Sequence, residues 1–95
     1  MKVHKLLLSK ELQKRYGLDL AQEIVFDVER ELDYILVHHP SFDFFGYGST
    51  VPNALEMLAE DIKMVQADFE SGMINRKNTH KNDYLLLKHL FKGEE

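Results

Sequence analysis

The histidines are the residues of this sequence with the widest chemical repertoire, because imidazole binds metal ions and transfers protons near neutral pH. Five are present, and His39 and His80 each lie within four residues of a following aspartate. Their spacing matches neither H-E-x-x-H nor a glutamate three residues before a histidine, the arrangements of helical metal sites. No cysteine is present, which excludes thiolate ligands and a thiol nucleophile. We therefore predict no metal site, no cofactor and no catalytic residue.

Arg76 and His80 lie in a polar segment, residues 74–84, that is faintly similar to the Arg-x4-6-His signature of HEPN-type helical ribonucleases and their antitoxin relatives. The resemblance implies an arginine and a histidine that meet at a dimer cleft and act on an RNA phosphodiester. Three residues separate Arg76 from His80, one fewer than the signature requires. A ribonuclease is therefore the alternative, and the segment itself is predicted to be a polar loop between helices.

Residues 41–49 form the most unusual segment of the chain, with four aromatic residues and two glycines among nine. Aromatic side chains dominate binding hot spots, and glycines let a loop take unusual dihedral angles or approach another surface closely. One interpretation is that Phe42, Phe44 and Phe45 close the open end of a helical core. The functional hypothesis is that a partner contacts Phe44, Phe45 and Tyr47.

Acidic residues recur every four positions in two segments, where a helix would place them on one face: Glu23, Asp27 and Glu31, then Glu56 and Glu60. Like charges at this spacing destabilise a helix by about 0.2–0.5 kcal/mol per pair, so folding does not require them. We interpret them as a surface that steers a basic partner, the alternative being a merely solvated face.

The formal net charge of −4 is unevenly distributed, with +4 on residues 1–16, −10 on residues 17–71 and +2 on residues 72–95. This overall acidity argues against nucleic acid as the partner. The apolar runs are too short for a signal-peptide core or a membrane span. Together with the absence of cysteine, this predicts a cytoplasmic location and no membrane contact.

Two long helices are predicted to position these residues. Residues 19–38 carry apolar side chains at spacings of three and four, typical of a buried helical stripe, before Pro40 ends the helix. The members of that stripe are Ala21, Val25, Val28, Leu32 and Ile35. The strongest pattern begins at Thr50, which is predicted to be an N-cap, and continues to Gly72.

Two shorter helices are predicted at the ends of the chain. The first extends from Val3 or Ser9 to Tyr16, with Gly17 after it, although residues 2–8 are alternatively a short strand. The last extends from about residue 80 to residue 92 and is followed by a glycine.

These elements predict a single all-α domain over residues 1–95, a compact bundle of about four helices, two long and two shorter. The predicted function is that of a small non-enzymatic regulatory protein that binds a protein partner, such as an inhibitor, antitoxin or immunity-type factor. A self-associating structural subunit is a further alternative. In that case Met57 and Met64, predicted chiefly to contact a neighbouring helix, would instead form an exposed interface with the aromatic segment.

Overall fold

A computed structural model describes the backbone of residues 2–93 and the side chains of residues 4–93. Within these residues it contains a four-stranded antiparallel sheet and three helices, so the fold is α+β. In chain order the elements are β1 (Lys2–Leu8), α1 (Lys10–Arg15), β2 (Ile24–Arg30), β3 (Ile35–His38), β4 (Phe45–Gly48), α2 (Val51–Ser71) and α3 (Lys81–Lys92). The prediction of an all-α helical bundle is therefore wrong.

The error lies mainly in residues 19–38, which form β2, β3 and their connections instead of a second helix. The predicted stripe combines spacings of four and three residues, and only the spacing of four fits one face of a strand, whose side chains alternate with period two. The spacing of three joins opposite faces, so Val25 is exposed whereas Val28 is buried. Residue type separates the two structures here. β2 has three β-branched residues and one phenylalanine among seven, a composition that favours a strand.

The sheet is a meander in which each strand pairs with the next one in sequence, in the order β1-β2-β3-β4. The register places Leu6 opposite Phe26, Val28 opposite Val37, and Val37 opposite Gly46. These residues face the helices, and Phe26 and Val37 have no exposed surface. The alternative prediction of a strand over residues 2–8 is confirmed by β1.

The helix predicted after Thr50 is confirmed as α2. The Thr50 hydroxyl accepts a hydrogen bond from the backbone N–H of Asn53 at 3.2 Å, and Gly72 ends the helix with a φ of 88°. One face of α2 is buried against the sheet, including Leu55, Leu58 and other apolar residues of the predicted stripe. Local capping signals were sufficient to fix both ends of this helix.

The two short helices also begin and end near the predicted residues. Ser9 is the N-cap of α1, and Gly17 follows that helix with a φ of 77°. His80 is the N-cap of α3, and Gly93 follows it with a φ of 84°. A buried aromatic cluster holds α3 against the end of α2, with the Phe69 and Phe91 rings 5.5 Å apart.

Two glycines of β4 allow α2 to lie directly against the sheet. A Cβ atom at Gly46 would overlap the backbone oxygen of Ala54 and the backbone nitrogen of Leu58. A Cβ atom at Gly48 would lie 2.7 Å from the Cβ of Asn53. Neither glycine has a positive φ, so close approach, and not an unusual dihedral angle, is the reason for glycine here.

The molecule measures 41 × 25 × 19 Å. The longest dimension is compatible with the length of α2, whose 21 residues span about 30 Å. The Cα radius of gyration is 13.6 Å, somewhat above the ~12 Å of a compact domain of this length. In the part of the chain that the structure describes, no helix is both long enough and apolar enough to cross a membrane.

Candidate functional site

The side of the sheet that faces away from α2, here called the outer face, carries several exposed apolar side chains. Leu7 and Val25 lie opposite each other on β1 and β2, with exposed fractions of 49% and 46%. On β4, Phe45 and Tyr47 are 44% and 51% exposed. Exposure of this extent shows that no element among residues 2–93 covers the outer face.

Three aromatic residues form a continuous patch on the outer face, here called the aromatic face: Tyr34, Phe45 and Tyr47. The rings of Phe45 and Tyr47 are nearly parallel, with centroids 6.3 Å apart and an interplanar angle of 13°. Tyr34 contacts Tyr47 edge to face, with centroids 6.2 Å apart. Strand alternation produces the pair, because Gly46 between them faces the helix and sends both neighbours outward.

Phe44, the third aromatic residue predicted to contact a partner, lies elsewhere. It precedes β4, is only 3% exposed, and stacks on Phe42 with centroids 5.3 Å apart. It therefore belongs to the core, as the alternative interpretation of this segment proposed. The structure thus divides the aromatic segment between a buried part and an exposed part.

Two side chains of α2 contact the free edge of β4, the edge that pairs with no other strand of the sheet. The backbone N–H of Phe45 donates to Oδ2 of Asp61 at 3.2 Å, and the backbone N–H of Tyr47 lies 3.5 Å from Sδ of Met57. These contacts hold the strand in place beneath its aromatic side chains. They also occupy donors that an added strand would need.

A row of paired charges crosses the outer face beside the aromatic face. Nζ of Lys5 on β1 lies 2.5 Å from a carboxylate oxygen of Asp27 on β2, and this hydrogen bond is the main reason that the pKa of Asp27 is lowered. Nε2 of His38 on β3 pairs with a carboxylate oxygen of Glu29. Lys5 thus offsets the charge of Asp27, and the Glu29 carboxylate has a hydrogen-bond partner in the His38 imidazole.

The five acidic residues predicted to meet a partner do not form one surface. Glu23 and Glu31 flank β2 at opposite ends, and Asp27 lies between them in its ion pair with Lys5. Glu56 and Glu60 lie on α2 and share a hollow with Arg15 at the end of α1. Glu60 also lies 3.5 Å from Nζ of Lys63. Lys5 and Lys63 therefore offset two of the five carboxylates, Asp27 and Glu60.

Three other carboxylates line one groove, and the sequence analysis noted two of them, Asp43 and Asp83, only as the aspartates that follow His39 and His80. Asp43, Asp61 and Asp83 line one groove of about 410 Å³ between the residues before β4, α2 and α3. They are separated by 18 and 22 positions, so no periodic pattern connects them. Only the packing of α3 beside α2 places them around the same space.

The histidines and Arg76 have structural contacts of their own. Nδ1 of His39 accepts backbone hydrogen bonds from Ser41 and Phe42, and Nδ1 of His80 accepts one from Asn82 at the start of α3. The guanidinium of Arg76 lies 5.5 Å from the centre of the Tyr84 ring. Among the described residues, no three His, Asp or Glu side chains are arranged to hold a metal ion.

Comparison with protein-family models, with curated proteins and with solved structures gives no match to this chain. The faint similarity of Arg76 and His80 to helical ribonucleases also loses its structural premise, because the fold contains a four-stranded sheet.

Proposed function

We propose that this chain is a non-enzymatic regulatory protein, of the inhibitor, antitoxin or immunity type, that binds a protein partner through its aromatic face. The observation that carries the proposal is the pair Phe45 and Tyr47, which lie stacked and about half-exposed on an outer face that no described element covers. Aromatic side chains provide large contact area at little entropic cost and are enriched in interface hot spots.

The anchoring of β4 supports this proposal. Asp61 and Met57 hold the backbone of Phe45 and Tyr47 from α2, so the two rings start from a fixed position. A surface that is ordered before binding loses less conformational entropy when a partner arrives.

The charges around the aromatic face favour a protein over a nucleic acid. Binding of nucleic acid draws most of its affinity from basic side chains that neutralise phosphates. Lys5 and His38 on the outer face are each paired with a carboxylate. Glu23, Asp27, Glu31, Glu56 and Glu60 are proposed to act only at long range, by steering a basic partner.

We place the protein in the cytoplasm because it contains no cysteine.

The test is capture of partners from a nuclease-treated lysate of the source cell. Three tagged proteins are compared: the unaltered chain, a variant of the aromatic face and a control variant. The Phe45→Ala, Tyr47→Ala double variant should weaken capture of a stoichiometric protein by roughly 30-fold or more, the effect of losing hot-spot residues. Leu32→Ala is the control, because it removes a side chain that is 98% exposed and lies outside the aromatic face.

The double variant should remain folded, since a cross-strand or neighbouring aromatic pair contributes only about 1 kcal/mol. Its thermal unfolding is measured beside the capture experiment. Equal capture by all three forms would contradict the aromatic face as the binding site. Recovery of nuclease-sensitive RNA without protein, or RNA cleavage that disappears in His80→Ala, would replace the proposal with the nucleic-acid alternative.

A further inference from the structure

A groove with an apolar floor lies on the side of α2 that faces α3, beyond the edge of β4. Its volume is about 410 Å³, and Phe42, Val65 and Leu87 contribute to the floor. Leu86, on the wall formed by α3, remains 37% exposed. Apolar side chains that remain accessible in a concave surface are typical of sites that receive apolar groups from another molecule.

Three carboxylates line this groove without a cation among them. Asp43, Asp61 and Asp83 belong to three different segments, and no lysine, arginine or histidine shares the lining. Within residues 4–93, none of the three forms an ion pair with a basic side chain. Asp61 binds the backbone of β4, and Asp83 suits the positive end of the α3 dipole. Neither role requires all three around one groove.

A second hollow extends the groove along α2. It has a volume of about 470 Å³ and is lined by Phe45, Met57 and Met64, with Asp61 common to both spaces. Met64 is 64% exposed. Methionine side chains adapt to the shape of an incoming apolar face. The only basic residue of this lining, Lys63, is already paired with Glu60 at 3.5 Å.

We infer that the groove and the second hollow, together called the acidic groove here, bind a basic amphipathic helix of the partner. The apolar face of that helix would contact Met57, Met64 and Leu86, and its lysines or arginines would face the aspartates. A helix is favoured over an extended segment because α2 side chains already occupy the N–H groups at the edge of β4. The inference deepens the proposed function and rests on it, since it names the class of partner.

The probe is a synthetic amphipathic peptide of roughly 14 leucine, alanine and lysine residues, about four helical turns. A matched peptide carries glutamate in place of each lysine. Each is titrated into the complete chain and followed by the chemical shifts of its amides and methyl groups. We expect the lysine peptide to shift the signals of Leu86, Met57 and Met64, and the glutamate peptide to leave them unchanged.

The variant pair Asp43→Asn, Asp83→Asn should weaken binding of the lysine peptide by about tenfold, the effect of two partly exposed ion pairs. The control pair Asp19→Asn, Asp33→Asn removes the same charge from exposed positions outside the groove. Asp61 is left unchanged because it also holds β4. Thermal unfolding is measured for both variant pairs to check that they remain folded.

Equal weakening in the two variant pairs, or shifts confined to other surfaces, would overturn the inference. Dimerisation of the chain through the groove, detected by light scattering without peptide, would also overturn it. Phe45 also lines the second hollow, so the single variant Tyr47→Ala separates the two proposals, because Tyr47 lines neither space. Loss of lysate capture in Tyr47→Ala tests the aromatic face, whereas the peptide titration tests the groove without the natural partner.

Discussion

His39 illustrates how one side chain holds a connection in place. Its Nδ1 atom accepts the backbone N–H groups of Ser41 at 2.9 Å and Phe42 at 3.2 Å. Its ring packs edge to face against Phe26, with centroids 5.6 Å apart. Both hydrogen bonds require an unprotonated Nδ1. The turn before β4 therefore depends on the neutral form of this imidazole.

Burial is the main reason that the pKa of His39 is lowered below its ordinary value of 6.5. The Asp27 carboxylate acts in the opposite direction, whereas the positive charges of His38 and Lys5 lower it further. Because the unfolded chain then binds the proton more readily than the folded chain, acidification favours unfolding. The stabilisation is complete above pH 6.5 and is lost as the pH falls toward the lowered value.

We predict that the free energy of unfolding decreases as the pH is lowered from about 7 to about 5. His39→Asn should make this dependence on pH less steep. Asparagine keeps an acceptor for the turn without a titrating group. Urea unfolding of both proteins across this range measures the difference. His4→Gln, at an exposed position, should retain the original slope. Identical slopes in the wild type and His39→Asn would contradict the role of this residue.

At the scale of elements, Gln13 connects α1 to the end of β1 and to the residues before β2. Its side chain is 1% exposed. Nε2 donates to the carbonyl oxygens of Leu8 and Gln22, and Oε1 accepts from the backbone N–H of Leu20, each at 3.0 Å. The residues between α1 and β2 thus obtain hydrogen bonds that no regular structure gives them.

Gln13→Leu should cost about 3 kcal/mol of stability, because leucine fills a similar volume but neither donates nor accepts a hydrogen bond. The carbonyls of Leu8 and Gln22 and the N–H of Leu20 would lose their side-chain partner. Denaturant unfolding measures the loss, and hydrogen exchange should show faster exchange at Leu20 in particular. Gln66→Leu on α2 is the matched control, with an expected change within about 0.5 kcal/mol. A similar loss in both variants would show that the buried amide has no special role.

At the scale of the whole molecule, the fold consists of a sheet and a helical layer that meet most closely at β4 and α2. The backbone of α2 occupies the space that a side chain at Gly46 would need. The same contact positions Met57 and Asp61 against the edge of β4. Both proposed binding surfaces therefore depend on the distance between these two layers.

Gly46→Ala should destabilise the protein by about 3 kcal/mol or more, since the methyl group would meet backbone atoms that cannot move aside. A loss of that size lowers the Tm by more than about 12 °C in a domain of this length. Gly72→Ala is the comparison, because nothing lies within 4 Å of its added methyl group, and its left-handed φ alone costs about 1 kcal/mol. Equal Tm values for the two variants would contradict the close approach of the layers.

The sequence by itself determined the features that depend on neighbouring residues. Thr50 and Gly72 fixed the ends of α2, and the stripe of apolar residues identified its buried face. Each of these features results from local backbone geometry or from side-chain alternation.

Only the tertiary structure showed which strands residues 19–38 pair with, because their pairing partners lie elsewhere in the chain. The β-branched composition of β2 already favoured a strand over the predicted helix. The tertiary structure also separated Phe44 in the core from Phe45 on the surface. Most importantly, it brought Asp43, Asp61 and Asp83 to one groove. Contacts between residues far apart in sequence leave no periodic signal, since the packing of whole elements creates them.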